Sequence, residues 1–166
     1  MTTLTVILLL VLLLLLAALL GALIYFFRFA HLRRSQIPSN LEREGDAWAG
    51  YQDMMDESFL WLKQQPTEEF SVTSFDGLQL HGTYIPAENA RACVILFHGY
   101  RSTGLRDFAP LLPFYAAHGL SSLVVDQRAC GKSGGKLITF GIKERRDALT
   151  WAEYAHRRFA GETPIL

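Results

Sequence analysis

Cys93-Val-Ile-Leu-Phe-His98-Gly99-Tyr100 is the stretch that decides the fold of this chain. An apolar, partly β-branched run stops at a His-Gly-aromatic turn, as a strand buried on both faces does when it opens into a loop. The pattern returns at Leu123-Val-Val-Asp126, which runs into Gln-Arg128-Ala-Cys-Gly131-Lys-Ser133-Gly-Gly135. Between the two, residues 108–118 read as a helix with Pro110 in its first turn and Gly119 as its stop. Pro113 is expected to kink or shorten it. Strand, helix and strand make a parallel β/α unit, and the active-site loops of such sheets gather at the carboxyl ends of the strands.

Working outward, Phe70-Ser-Val-Thr-Ser-Phe75 and Leu78-Gln-Leu-His-Gly-Thr-Tyr-Ile85 flank Asp76-Gly77, which predicts a β-hairpin closed by Pro86. A second helix is expected over 143–159, with Leu149, Ala152, Ala155 and Phe159 facing inward, and 163–166 reads as the opening of one more buried strand. Upstream, Ser39 followed by Glu42 fits a capping box. Leu41, Trp48, Tyr51, Met55, Phe59 and Leu62 then recur at seven-, three- and four-residue steps as one apolar stripe. Gly45 and Gly50 weaken this helix and Pro66 ends it. Its polar face carries Glu44, Asp53, Asp56 and Glu57, which anionic lipid would repel, so the stripe is expected to pack on the following domain.

Residues Leu4 to Phe27 carry no charge. At about 1.5 Å per residue they make a helix of roughly 36 Å, against a bilayer hydrocarbon core of about 30 Å. A cleaved signal peptide would show a basic start and a small-x-small cleavage site, and a core helix would show a polar face; the run has neither. It reads as a single-pass membrane anchor. Arg28, Arg33 and Arg34 follow it and no Lys or Arg precedes it, so the positive-inside rule puts the C-terminal side in the cytoplasm. These arginines read as a topology signal and as contacts to anionic headgroups. The expected divisions are an anchor at 1–27, a connector from His31 to Pro38 within a juxtamembrane segment at 28–66 that includes the amphipathic helix, and a domain at 67–166.

Sixteen Lys and Arg balance sixteen Asp and Glu, which removes any general attraction to nucleic acid. Cys93 and Cys130 have neither metal spacing nor a disulfide framework, and no cofactor is implied. The expected partners are the lipid bilayer and a small acyl-containing substrate.

In this order, and at this separation, the turns resemble those of the α/β-hydrolase superfamily, and the chain is most similar to its bacterial, membrane-anchored serine hydrolases. The residues that carry the resemblance are His98-Gly99-Tyr100 after the third strand and Asp126-x-Arg128-x-x-Gly131-x-Ser133 after the fourth. Ala129 stands where the family usually has glycine. The resemblance covers about residues 69–166, the N-terminal half of such a domain. It implies the first part of a hydrolase sheet preceded by one transmembrane helix, acting on ester, thioester or similar acyl bonds. The backbone N–H of Tyr100 would then be one oxyanion donor, because amides held at the end of a rigid strand receive developing charge without reorganising. Gly99 would let the backbone turn sharply. His98 would support the loop rather than act as base, and Asp126 and Arg128 would brace the loop after their strand. Asp147 is expected to face solvent or cap a local bond.

Gly131-Lys132-Ser133-Gly134-Gly135 matches Gly-x-Ser-x-Gly literally. A nucleophile elbow needs a strand running straight into the turn and a helix starting directly after the serine. Here the strand ends near Asp126 and the helix waits until about Lys143, so Ser133 reads as a loop residue. A phosphate-binding loop would need glycine at position 126, where a carboxylate stands. The resemblance therefore implies that the nucleophile, base and acid lie outside this chain, which is expected to be inactive alone. The competing expectation is a non-catalytic, membrane-anchored interaction module derived from a hydrolase.

Overall fold

The computed structural model describes residues 2–33, 50–159 and the backbone of 163–165, and it divides into two units, Met1–Leu32 and Arg33–Leu166. The first unit is one helix, α1 (Thr3–His31), with no buried residue. The Thr2 side chain accepts the N–H of Thr5 at its start, and the helix continues four residues beyond the expected anchor, through Arg28 to His31.

In the second unit α2 spans Gln52–Gln64 and stops before Pro66. Met55 is buried, and Phe59, Trp61 and Leu62 pack on the domain core, so the stripe covers the domain as its acidic polar face suggested. Tyr51 is exposed. The capping box Ser39/Glu42, Leu41, Trp48, Glu44, Gly45 and most of the expected connector lie outside the described residues.

β1 (Glu68–Thr73) and β2 (Gln79–Ile85) form the hairpin, in the register Phe70 opposite Gly82. Its connection is longer than a two-residue turn. Ser74 N–H donates to the Leu78 carbonyl, the Ser74 hydroxyl accepts from Leu78 N–H, and Gly77 takes φ +84°. β3 (Ala92–Phe97), β4 (Leu120–Val125) and β5 (Thr163–Ile165) complete a sheet of order β1-β2-β4-β3-β5. β4 and β5 run parallel to β3 on either side of it, while β2 runs antiparallel to β4.

The crossover from β3 to β4 differs from the single helix expected over 108–118. α3 (Gly104–Phe108) comes first, then a 3-10 turn (Ala109–Leu111), then α4 (Leu112–Ala117). Pro110 and Pro113 each sit at the start of a new segment, because proline has no N–H to give and clashes with the carbonyl one turn back. Gly104 opens α3 against the strand. A Cβ there would lie 2.5 Å from Val124 Cγ1 and 2.9 Å from the Val125 carbonyl oxygen. Gly104→Ala is therefore expected to cost about 1–3 kcal/mol, as overpacking does, and a urea titration measures it.

Side-chain alternation builds two core layers. On one face Leu80, Tyr84, Cys93, Ile95, Leu123 and Val125 meet Trp151 and Ala155 of α5 (Glu144–Arg158) and Phe159 directly after it. On the other, Ile85, Leu96 and Val124 meet Ala109 and Leu112, with α2 packed outside them. One expectation for α5 fails. Leu149 faces solvent, and the inward position belongs to Trp151, whose ring fits only because Gly82 has no side chain: a Cβ there would lie 2.8 Å from Trp151 Cη2.

Candidate functional site

β3 and β4 are parallel and end in register, Phe97 opposite Val125, so the His98 and Asp126 loops emerge side by side at one rim. His98 is buried, with Nδ1 2.7 Å from the Gly99 carbonyl oxygen and Nε2 accepting the Gln127 N–H at 3.0 Å. An acceptor at Nε2 puts the proton on Nδ1, which donates to Gly99. The Gln127 side-chain amide donates to the His98 carbonyl in return. His98 thus ties two loops together with both ring nitrogens occupied.

Gly99 N–H donates to Asp107 Oδ2 at 2.8 Å, and the Ser102 hydroxyl donates to Oδ1 at 2.6 Å. A turn runs from Gly99 to Ser102, whose N–H donates to the Gly99 carbonyl at 3.4 Å, and its left-handed residue is Arg101, at φ +57°. Tyr100 lies three residues past the last paired residue of β3. Its ring stacks on Phe140 with centroids 5.3 Å apart, and the Arg101 guanidinium lies 4.9 Å from its centroid. A cavity of about 180 Å³ opens here, walled by His98, Tyr100, Arg101, Cys130, Phe140 and Glu144.

Asp126 is a brace. Its Oδ1 accepts Gly104 N–H at 2.9 Å and its Oδ2 accepts Lys132 N–H at 2.8 Å, so the carboxylate fills from within the place an anion would take in a phosphate loop. Gly131, at φ +48°, is required by this closeness, since a Cβ there would lie 2.0 Å from Asp126 Oδ2. Ala129 sits at φ +60°, a conformation that costs an alanine roughly 1–2 kcal/mol and a glycine nothing. The Ser133 hydroxyl is fully buried. It donates to the Asp126 carbonyl at 2.5 Å and accepts His81 N–H at 2.8 Å, which joins the ends of β4 and β2.

Arg128 reaches the other way. Nε and Nη2 donate to Asp147 at 2.6 and 2.7 Å, and Nη1 and Nη2 donate to Asp76 at 3.0 and 3.1 Å. Asp147, expected at the surface, is buried because it faces this guanidinium. Burial pushes the Arg128 pKa down, yet the hydrogen bonds it donates to Asp147 and Asp76 raise it overall, so the charge is permanent. Lys143 adds a further contact to Asp76 at 3.0 Å.

Burial also works against the Glu144 carboxylate, but the Thr139 hydroxyl and N–H and the Gly141 N–H hold its pKa below the usual value. Burial and the nearby Asp126 push the Cys130 thiol up to about 11, which keeps it protonated and a poor nucleophile at neutral pH.

Arg33 has a role that its place in a basic cluster does not announce. Its guanidinium donates to the Ser133 carbonyl at 2.7 Å and the Gly131 carbonyl at 2.6 Å, and its backbone N–H donates to Lys136 at 2.8 Å. It clasps the loop behind the cavity wall.

No protein-family model and no curated protein matches the chain. Among solved structures it is similar to esterase Pf2001 of Pyrococcus furiosus, at 22% identity and TM-score 0.59, over 80% of this chain and 45% of that one. It is also similar to the alpha/beta hydrolase GrgF of a Penicillium species, at 20% identity and TM-score 0.51, over 55% of this chain and 32% of that one. An alpha-beta hydrolase of Vibrio vulnificus matches at 16% identity and TM-score 0.51, over 79% of this chain and 50% of that one. The chain thus spans half the length of these proteins or less, and at such identities the likeness is one of fold.

Proposed function

We propose that this chain, which has the α/β-hydrolase fold, carries the oxyanion-binding part of a serine-type hydrolase of ester, thioester or similar acyl bonds, held at a membrane by α1. The observation that supports the reading is the position of Tyr100, beyond the pairing of β3, on a loop fixed by His98 and Asp107, at the wall of a cavity. When a nucleophile adds to an acyl carbonyl, charge gathers on the oxygen, and the Tyr100 N–H would donate to it from a loop that needs no rearrangement. His98 would keep that loop against Gln127, while Asp126 and Arg128 hold the facing loop. A serine would attack, a histidine would carry its proton and a carboxylate would orient the histidine, all three from sequence outside residues 1–166. In support, the His98 ring and the Ser133 hydroxyl are each committed to backbone partners. Among the described residues α1 alone is long and apolar enough to cross a membrane, and none of its residues is buried, which favours a span over a core helix. The second unit is assigned to the cytoplasm from Arg28, Arg33 and Arg34, which follow the apolar run in sequence.

Residues 1–166 alone are expected to leave p-nitrophenyl acyl esters unhydrolysed above the buffer rate. Turnover that disappears on Ser133→Ala would make Ser133 the nucleophile and overturn this assignment. The reading frame after Leu166 separates the hydrolase from a non-catalytic interaction module. A frame that encodes Gly-x-Ser-x-Gly within about ten residues supports the hydrolase, since the elbow follows its strand directly. An immediate stop codon supports the module.

A further inference from the structure

Leu149 is 61% exposed on α5, and Ile142, in the turn leading into that helix, is 71% exposed. At helical steps of three and four residues, Arg145, Arg146 and Glu153 share the face of Leu149, and all three are exposed. Glu153 is offset by Arg157 at 3.8 Å, and Arg146 lies over the Phe75 ring at 3.5 Å with its charge intact. The other acids of α5 turn away from this face: Asp147 is buried on Arg128, and Glu144 is bound to Thr139 and Gly141. What faces outward is aliphatic with a net cationic balance, Arg145, Arg146 and Arg157 against Glu153.

We infer that this stripe of α5 is an interfacial surface that settles on the anionic leaflet of a bilayer. The inference rests on the membrane tether proposed above, and its own ground is charge. A helix lying in the headgroup region needs exposed apolar side chains flanked by cations, which anionic lipid attracts. α2 has the opposite sign: its exposed Met54 and Leu60 stand among exposed Asp53, Asp56 and Glu57, while Phe59, Trp61 and Leu62 pack on the domain. Among the described helices of the second unit, only α5 combines bare aliphatic groups with arginines. The stripe also adjoins the cavity. Phe140, part of the cavity wall, precedes Ile142 by two residues. Docking would therefore bring the cavity rim to lipid level and favour acyl groups arriving from the membrane phase.

The test uses the full chain in lipid nanodiscs, with Leu149→Cys carrying an environment-sensitive NBD label. Cys93 and Cys130 are buried and leave that site to react under native conditions. In discs containing phosphatidylglycerol the label is expected to shift to the blue and lose its quenching by iodide. In discs of phosphatidylcholine alone it should do neither. The double variant Arg145→Glu/Arg146→Glu, or raised salt, should abolish the shift, since surface attraction is screened. A label equally buried in neutral discs, or buried in proportion to the number of chains per disc, would assign the stripe to protein contacts and overturn the inference. Resistance of the unlabelled chain to carbonate extraction from vesicles reports on the tether separately. Extraction would sink the tether and the inference with it, whereas a retained chain with a solvent-exposed label sinks the inference alone.

Discussion

Arg128→Met should lower the folding free energy of the chain by about 3–5 kcal/mol, the usual cost of removing one partner from a buried ion pair. The side chain is 2% exposed and serves two carboxylates at once, both as planar forks. Methionine fills much of the volume but leaves Asp147 buried without its partner, and that uncompensated charge supplies most of the cost. Asp76 is 24% exposed and is also reached by Lys143, so it can find water. Asp76→Ala should accordingly cost much less than Arg128→Met. Urea unfolding of the full chain in mild detergent, followed through tryptophan fluorescence, gives both midpoints. Equal costs would mean that the Asp147 fork is not the dominant bond.

The same pair sets a sign for pH. Hydrogen bonds from Arg128, then Ser74, hold the Asp76 carboxyl well below its ordinary value of 3.8. A carboxylate depressed in this way adds stability that is present above its unfolded pKa and lost as pH falls through the folded one. The wild-type chain therefore loses this contribution below about pH 4. Arg128→Met has already lost it, so the gap between the two chains should narrow in acid. A gap constant from pH 7 to pH 3 would show that Asp76 draws nothing from Arg128.

The strands were legible because a buried parallel strand is an unbroken apolar run, and both 93–97 and 123–125 read that way. The hairpin was legible from local turn chemistry. What failed was direction and distance. Leu149 is apolar and at a helical step from Ala152, yet the sheet admits Trp151 instead, through a gap made by Gly82 on a strand far back in the chain. Asp147 reads as surface until Arg128, nineteen residues earlier, is seen to face it. Arg33 reads as a topology signal, and its partners Gly131 and Ser133 lie 98 and 100 residues away. Periodicity sees about two helical turns, and none of these pairings falls within that span. Ser133 reads as a loop residue from the spacing of strand, turn and helix, whereas the loop-supporting reading of His98 is what the resemblance implies; in the structure His98 accepts the Gln127 N–H and Ser133 donates to the Asp126 carbonyl.

The largest functional effect is expected at Tyr100, and it separates backbone from side chain. In a polypeptide that extends this chain through a Gly-x-Ser-x-Gly nucleophile, Tyr100→Pro should lower kcat about 10²–10³-fold, as the loss of one oxyanion donor does. Proline removes the N–H and leaves the chain otherwise continuous. The exchange meets no positive-φ conflict at Tyr100, and the residue before it is glycine, which tolerates the restriction proline imposes on its predecessor. Tyr100→Ala keeps the N–H and deletes only the ring stacked on Phe140, so it should retain most of the rate. The donor acts on charge that exists in the transition state, so kcat should fall and KM should stay nearly constant. A urea midpoint close to wild type for the proline variant excludes unfolding as the cause. Proline and alanine variants of equal activity would remove Tyr100 from the oxyanion site, and a loss confined to alanine would transfer its role to the aromatic ring.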